Sequence, residues 1–327
     1  MKYCEPLYFK QFKCVADQCE DTCCKFWQVE LDEVAYKTVG DFVLNNRCQN
    51  TKIKKSGKEY VIVPCKNNSC PFLESSLLCS LYKEVGHDRL PKTCQLYPRF
   101  FNAFGGYEER GLSFSCPTAA KIIYNSGLKL YEFENSDPIT SYTSVDAERF
   151  KAVKFARDSL LAFIGETDSS VEKIIYAVIQ YAEDVQNALK KGEYDKLYIL
   201  KPCLSDRSVL LSAKNLKRIV SSHLGNTVLK KEWKTTLKKA SINEKNENIY
   251  AFKVWFNYFV FRYLIRACDN LSFKAVVIAA IISFWLISSL ETDFAHAMQK
   301  YSKEVEHCKN NIDRLLVFSC KFDFTKY

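Results

Sequence analysis

The sequence predicts a mainly α-helical protein in which a small cysteine-rich N-terminal domain of loops and a hairpin precedes an all-α helical bundle. Three observations support this prediction. Eleven of the fifteen cysteines lie within the first 116 residues, helical periodicity becomes continuous only beyond them, and 47% of the 327 residues are apolar, enough to build a sizeable core. We therefore place a domain boundary near residue 120, with residues 1–120 as the cysteine-rich domain and residues 121–327 as the helical domain.

The cysteine-rich domain contains only short elements. Residues 31–46 have the pattern of a helix, residues 60–64 (YVIVP) that of a brief strand, and residues 99–115 that of a hairpin turning at Gly105 and Gly106. None of these elements buries a core by itself. A small, loop-rich domain normally needs a cross-link or a metal, so we expect a metal centre to hold it together.

The stretch VADQCEDTCCKFW (residues 15–27) places three cysteines within six positions. The N-terminus lacks the apolar run of a secretory signal peptide, so we expect a cytoplasmic, reduced protein. Adjacent Cys23 and Cys24 agree with this, since neighbouring cysteines bridge each other only through a strained ring. Thiols clustered in a reducing compartment predict a metal, redox or catalytic site.

The spacing of the cysteines narrows the kind of metal. No C-x-x-C pair occurs in the chain, which removes the commonest zinc knuckle and the thioredoxin-type motif. His87 is the only histidine in the cysteine-rich segment, and a thiolate-rich set of ligands favours an iron-sulfur cluster. The radical S-adenosylmethionine signature C-x3-C-x2-C is missing, because Phe26 stands where its third cysteine would be. A zinc site of unusual spacing and unmetallated thiols remain alternatives.

The second part of the chain has helical periodicity throughout. Apolar residues recur at three- and four-residue spacing over 171–189, and Ser169 with Glu172 has the pattern of a capping box. Further helices are predicted at 145–164, 206–222, 228–240, 247–267, 271–290 and 293–318, the last allowing a break. The apolar run 275–290 is sixteen residues long, short of the roughly 20 that cross a bilayer. We therefore expect a core helix and no membrane association.

Charge is uneven along the helical part. Residues 190–245 contain fourteen Lys or Arg against five Asp or Glu, which predicts either a solvated face or a docking surface for an acidic partner. No helix-turn-helix, zinc-finger or RNA-binding signature accompanies this charge, so we expect no nucleic-acid partner. Dinucleotide-binding, Walker A and G-x-S-x-G motifs are also missing.

Four motifs carry a resemblance to a known family. The runs FKCVADQCEDTCCKFW, CPFLESSLLCSLYKEVG, LPKTCQLYPRF and LSFSCP resemble the flagellin lysine N-methylases and, more distantly, the cysteine-rich domains described as zinc- or iron-chelating. The likeness covers roughly residues 8–120. It rests on eight cysteines: Cys14, Cys19, Cys23, Cys24, Cys70, Cys79, Cys94 and Cys116. The remaining cysteines fall outside the pattern, and we interpret them as incidental or as ordinary buried and surface residues: Cys4, Cys48, Cys65, Cys203, Cys268, Cys308 and Cys320.

The resemblance implies a methyltransferase that moves methyl groups from S-adenosylmethionine to lysine side chains of flagellin, with a [4Fe-4S] cluster taking part. The eight cysteines are the candidate metal ligands. A single cluster uses four thiolates, so we expect one cluster drawn from this set, with a second site as the alternative. The second function that we consider is a non-catalytic zinc- or iron-binding module in which the cysteines are structural.

Further residues near the motifs are weaker candidates. Tyr97 and Arg99 could hold the carboxylate of the donor or a cluster sulfide through hydrogen bonds, with packing as the alternative role. Trp27 could cover the cluster from solvent or anchor the core. His87 and Asp88 could serve as a base.

Overall fold

The computed structural model describes residues 1–26, 29–45, 51–57, 59–135, 145–269, 271–290 and 292–324. Over these residues the protein is mainly helical, as predicted, with twelve α-helices and seven strands. In chain order the strands are β1 (Lys2–Pro6), β2 (Val29–Leu31), β3 (Lys52–Ser56), β4 (Glu59–Val63), β5 (Arg99–Phe104), β6 (Tyr107–Leu112) and β7 (Leu130–Glu134). The helices are α1 (Glu33–Asn45), α2 (Ser80–Val85), α3 (Lys92–Leu96), α4 (Pro117–Ser126), α5 (Ala147–Glu166), α6 (Val171–Lys191), α7 (Ala213–Leu224), α8 (Glu232–Lys238), α9 (Ile249–Tyr263), α10 (Phe273–Ser288), α11 (Phe294–Tyr301) and α12 (Lys309–Cys320).

Four strands form a sheet in the order β5-β6-β1-β7. Strands β5 and β6 are the predicted hairpin, and it turns at Gly105 and Gly106, whose φ angles of 44° and 95° suit glycine. Strand β1 lies parallel to β6 and antiparallel to β7. Because β7 lies within residues 121–327, the prediction that this part is all-α is wrong at that strand. The residues of β7, LYEFE, are largely exposed. Because β7 pairs with β1 as an edge strand, its sequence has little hydrophobic pattern of its own.

A second, smaller sheet has the order β2-β4-β3. It confirms the strand predicted at 60–64 as β4, and the helix predicted at 31–46 is α1. The Asp32 carboxylate accepts a 2.9 Å hydrogen bond from the backbone N–H of Ala35 and so satisfies one of the free donors at the start of α1. Together these elements enclose a separate small core that includes Val39, Ile62 and Phe72.

The main core is built around α10, and every side chain of this helix except Lys274 is buried. It packs against α6, α9 and α12, which explains why its sequence is apolar on all sides. Within the part of the chain that the structure describes, no helix has both the length and the apolar character needed to cross a membrane. Residues 145–164, 171–189, 247–267 and 271–290 are confirmed as mainly helical, as α5, α6, α9 and α10.

Other helix predictions need correction. The helix predicted from residue 206 begins at Ala213, because Ser212 accepts a hydrogen bond from the backbone N–H of Asn215 and caps it there. The helix predicted at 228–240 shortens to α8. The capping box at Ser169 is wrong, since Ser170 precedes α6 and its side chain makes no capping hydrogen bond. The predicted break in 293–318 is confirmed, because a π-helical turn over Ser302–Glu306 separates α11 from α12.

The hairpin is joined to the helices through the main core. Phe114, just after β6, packs edge-on against Tyr258 of α9 with ring centroids 4.6 Å apart. Arg262 of α9 donates a 2.8 Å hydrogen bond to the hydroxyl of Ser113. The residues that follow the hairpin, including Cys116, are therefore fixed against the helical bundle. The boundary near residue 120 stays a prediction.

Candidate metal centre

The eight predicted cysteines fall into two groups, which we define by the charges that influence their pKa values. The first cysteine group consists of Cys14, Cys19, Cys23 and Cys116. Burial raises the pKa of Cys19 and of Cys116, and the charge of Cys14 adds to both shifts. The charges of Cys94 and then of Cys14 also contribute to the raised pKa of Cys23, after the larger effects of Cys24 and burial, so Cys23 borders both groups. The charges of neighbouring thiols therefore disfavour the ionisation of Cys19, Cys23 and Cys116.

The second cysteine group consists of Cys24, Cys70, Cys79 and Cys94. Burial, followed by the charges of the other three members, raises the pKa of Cys94 to about 12. Burial also raises the pKa of Cys70 to about 12, with further contributions from Cys24, Cys79 and Cys65. Cys65, which the motifs leave out, therefore lies near this group as well.

Backbone pairing brings the second group together. The backbone N–H of Cys70 donates to the carbonyl of Cys24 at 2.8 Å, so the loop after the vicinal pair runs beside the loop before Cys70. An isolated bridge then pairs Leu73 with Cys79, which folds α2 back towards Cys70. Cys94 is contributed by the short helix α3.

The vicinal pair Cys23 and Cys24 joins the two groups. The Cys23 thiol donates a hydrogen bond to Cys24, and this lowers the pKa of Cys24 while raising that of Cys23. Cys24 is thus the member of the pair that ionises first. Because Cys23 is influenced by Cys94 as well as by Cys14, it lies at the junction of the two groups.

Several sulfurs accept hydrogen bonds from backbone N–H groups two or three residues ahead. Cys19 accepts from Asp21, Cys70 from Phe72, and Cys116 from Thr118 and Ala119 at the start of α4. Such hydrogen bonds favour the thiolate and tune clusters held by cysteine.

The sulfur ligands that these cysteines offer suit a thiophilic metal. All fourteen cysteines that the structure describes are free thiols, and soft thiolates without histidine suit zinc or an iron-sulfur cluster. A bound cation would oppose the burial and the mutual repulsion that raise the pKa values of Cys70, Cys79 and Cys94. Among the described residues, however, no three or more His, Cys, Asp or Glu side chains are arranged as a metal site. The metal-held domain therefore remains a proposal.

The structure places Tyr97 beside the first cysteine group and Arg99 against Phe12. The hydroxyl of Tyr97 lies 3.2 Å from that of Ser115, and burial, followed by the charge of Cys116, raises its pKa, so Tyr97 borders the first cysteine group. The guanidinium of Arg99 donates to the carbonyl of Phe12 at 3.4 Å and lies over its ring.

The other residues that the sequence singled out are His87, Asp88 and Trp27. His87 and Asp88 are exposed neighbours, 3.3 Å apart, on the surface of a short turn. Trp27 lies outside the described residues.

The sequence interpretation missed a charged cluster beside the first cysteine group. Asp21, in the turn between Cys19 and Cys23, accepts from the ammonium groups of Lys303 at 2.8 Å and Lys230 at 3.0 Å. Lys303 comes from the π-helical turn and is nearly buried. Its charge partly offsets the raised pKa of Cys19. The only signal in the sequence was the position of Asp21 between two motif cysteines.

Comparison with known proteins gives partial matches. No family model and no solved structure matches the chain. The chain is similar to the Lysine-N-methylases of Salmonella typhimurium and Salmonella choleraesuis, each 28% identical over 213 residues, covering 59% of this chain and 51% of the relative. It is also 29% identical over 128 residues to the flagellar biosynthetic protein FliU of Salmonella muenchen, covering 37% of this chain and 76% of that protein.

The chain thus spans about half the length of the lysine methylases that it matches. These similarities support a relationship to a lysine methylase-like family, in agreement with the resemblance of the cysteine motifs.

Proposed function

We propose that this chain is a protein-lysine N-methyltransferase that acts on flagellin, takes its methyl group from S-adenosylmethionine and carries a [4Fe-4S] cluster. The observation that supports this proposal is the convergence of the eight motif cysteines, all free thiols, in two neighbouring groups that Cys23 and Cys24 join. The names of the relatives supply the reaction and the flagellar setting.

Two groups of four thiols provide ligands for one cluster or for two metal sites. The first cysteine group, which adjoins the Asp21–Lys303 pair and the helical bundle, is our choice for the cluster. The second group lies with the small sheet and its separate core, where a metal would act mainly as a staple. When bound, the cluster supplies redox-active iron that can bind or activate the donor, which the side chains alone do not provide.

The substrate lysine sets the remaining requirements. Its ammonium group has no lone pair, so it must lose a proton to a base before it can react. In a polar transfer, the neutral amine attacks the methyl carbon of the sulfonium, an N–C bond forms, the S–C bond breaks and sulfur keeps the bonding electrons. The protein must therefore supply a base near the amine and keep bulk water away from it.

The basic part of the helical domain is our proposed docking surface for the protein substrate. Lys214, Lys217 and Arg218 of α7 line a shallow groove together with Phe318 of α12. A surface of this kind attracts acidic segments and speeds their encounter with the protein at low salt. Flagellin would dock here through acidic residues.

Metal analysis after oxygen-free purification tests the cluster. We expect a brown protein with equimolar iron and sulfide, and the Cys19→Ser variant should lose colour whereas Cys203→Ser, at an exposed cysteine far along the chain, should not. A colourless protein loaded with zinc would instead support the non-catalytic metal-binding module.

Activity needs its own measurement. Protein with an intact metal centre is incubated with labelled S-adenosylmethionine and flagellin, and label is expected on flagellin lysines. Flagellin that stays unlabelled, while iron and sulfide are retained, would exclude the methylase.

A further inference from the structure

A cavity lies where the turn between the motif cysteines Cys19 and Cys23 meets the helical bundle. It is partly open to solvent and has a volume of about 170 Å³. Its walls include Asp21, Trp233, His296, Lys300, Lys303 and Glu304. The cavity is therefore assembled from the cysteine-rich segment, α8, α11 and the π-helical turn.

The size of the cavity limits what it can hold. A cavity of about 150 Å³ accommodates benzene, which has six heavy atoms. A lysine side chain, with four methylenes and one amine, is of this size. The whole donor, with its nucleoside, is much larger and would not fit.

The charges of the cavity walls are close to balanced. Four carboxylates and three lysines line the described part of the cavity, and one of the carboxylates, Glu20, is paired with Lys121 at 2.9 Å. Lys230 and Lys303 share Asp21, at 3.0 Å and 2.8 Å, so these three side chains keep one net positive charge, and it is the size of the cavity, not its wall charge, that matches a lysine side chain.

Trp233 provides an apolar wall with an unused donor. Its side chain is 3% exposed, and its indole N–H is buried without a hydrogen-bond partner among the described residues. A buried indole N–H normally has a partner. An indole ring also suits methylenes and methylated ammonium groups, which bind aromatic faces.

His296 stands at the exposed side of the cavity. Its ring makes no hydrogen bond within the part of the chain that the structure describes. Burial, followed by the ammonium of Lys300, lowers its pKa, while the carboxylates of Asp293, Glu20 and Asp21 act in the opposite direction. The imidazole is therefore neutral near pH 7 and can accept a proton. Glu304 is less suited, because its carboxylate oxygens accept from two backbone N–H groups.

We propose that this cavity receives the side chain of the acceptor lysine, with Trp233 lining its methylenes and His296 accepting its proton. The proposal rests on the methylase function proposed above and assigns a substrate site to it. The proton moves from the lysine ammonium to the imidazole, which leaves a neutral amine for the transfer.

Binding can be tested without turnover. The ¹H–¹⁵N resonance of the Trp233 indole, assigned with Trp233→Phe in the full chain, is followed during titration with Nα-acetyl-L-lysine methylamide. The matched control is the norleucine analogue, which lacks the amine. We expect a saturable shift with the lysine compound alone. No shift, or an equal shift with norleucine, would overturn the assignment.

Kinetics test the role of His296. We expect His296→Gln to lower kcat for flagellin by about 100-fold at pH 7 and to leave donor binding and thermal stability unchanged, with activity recovering as the pH rises and free amine becomes available. Lys37→Gln, at an exposed residue of α1, is the control and should behave as wild type. An unchanged kcat and pH profile in His296→Gln would refute its role.

The two proposals fail in different ways. If the wild-type protein transfers no methyl group to flagellin, the methylase function fails, and the lysine titration still reports on the cavity. If the wild type is active and both cavity variants match it in kcat and KM, the assignment of the cavity fails and the function stands.

Discussion

The ammonium of Lys303 lies 2.8 Å from Oδ1 of Asp21 and donates to the backbone carbonyls of Asp21 and Thr22 at 3.4 Å and 3.3 Å. A single side chain from the helical bundle therefore holds the turn that separates Cys19 from Cys23. The residues in contact are 282 positions apart in the chain. The arrangement ties the first cysteine group to the π-helical turn.

Replacing Lys303 by Met should lower the stability of the fold and the amount of metal that the first cysteine group binds. The Lys303 side chain is 7% exposed and that of Asp21 20%, but Asp21 keeps Lys230 as a second partner. We therefore expect a loss of about 2 kcal/mol in the free energy of unfolding, below the range for a wholly buried pair, and a lower metal content. Urea unfolding and metal analysis measure the two effects.

Lys300→Met is the matched control for this prediction. Lys300 lies one turn earlier on α11 and forms no ion pair among the described residues, so its loss should change stability by less than about 0.5 kcal/mol. Equal stability of the two variants would contradict the role of Lys303.

The division of the cysteines predicts two separable metal sites or one site and one set of free thiols. Cys19→Ser should abolish metal bound by the first cysteine group, and Cys79→Ser should affect only the second. Elemental analysis of each variant after oxygen-free purification measures this. Suppose that the wild-type protein holds metal at two sites. The division is wrong if either variant lacks metal altogether, or if both variants lack the same metal atoms.

Local patterns were sufficient for part of the architecture. The core helix α10 was predictable because its apolar run is too short to span a bilayer and too uniform for a surface helix. The hairpin was predictable because Gly105 and Gly106 mark its turn. In both cases a few neighbouring residues determine the element.

The remaining features depend on contacts between distant segments. Strand β1 is defined by pairing with β6, where Tyr3 lies opposite Glu108, and neither segment indicates the other. The cysteine groups do not follow chain order, since Cys116 joins Cys14 and Cys94 lies near Cys23 and Cys24. Spacing alone cannot give such groupings, because the tertiary fold decides which loops meet.

The buried ion pair between Arg157 of α5 and Glu109 of β6 should cost much stability when one partner is removed. The guanidinium of Arg157 on α5 lies 2.5 Å from the carboxylate of Glu109 on β6, and both side chains are 0% exposed. Arg157→Met leaves a buried carboxylate with no compensating charge, so we expect a loss of about 3–5 kcal/mol. Adding Glu109→Gln to this variant should restore much of that loss.

Lys154→Met is the control on the same helix. Lys154 pairs with Glu132 and Asp158, whose side chains are 57% and 38% exposed, so its loss should cost no more than about 1 kcal/mol. Urea unfolding of the four proteins measures these differences. A double variant no more stable than Arg157→Met alone would contradict the explanation.

The buried histidine His223 should make stability fall as the pH is lowered. It is 2% exposed, and its Nδ1 lies 2.8 Å from the carbonyl of Ile219 while its Nε2 lies 2.9 Å from the hydroxyl of Tyr301. Since a carbonyl only accepts, Nδ1 carries the proton and Nε2 accepts from Tyr301. Burial lowers the pKa of His223 to about 4.

The sign of the effect follows from where the proton binds. An unfolded histidine titrates near pH 6.5, so between about pH 6.5 and pH 4 the unfolded chain is protonated at this position and the folded chain is not. The contribution of neutral His223 to the free energy of unfolding is fully present above pH 6.5, and it decreases by up to about 3 kcal/mol as the pH falls to 4.

His223→Gln cannot titrate, and its free energy of unfolding should therefore depend less on pH over this window. Urea unfolding at pH 7, 6 and 5 measures the difference. His307, with a pKa lowered to about 3 chiefly by burial, titrates in both proteins, so the comparison isolates His223. Equal pH dependence in the two proteins would mean that the folded chain accommodates a charged imidazole beside Tyr301.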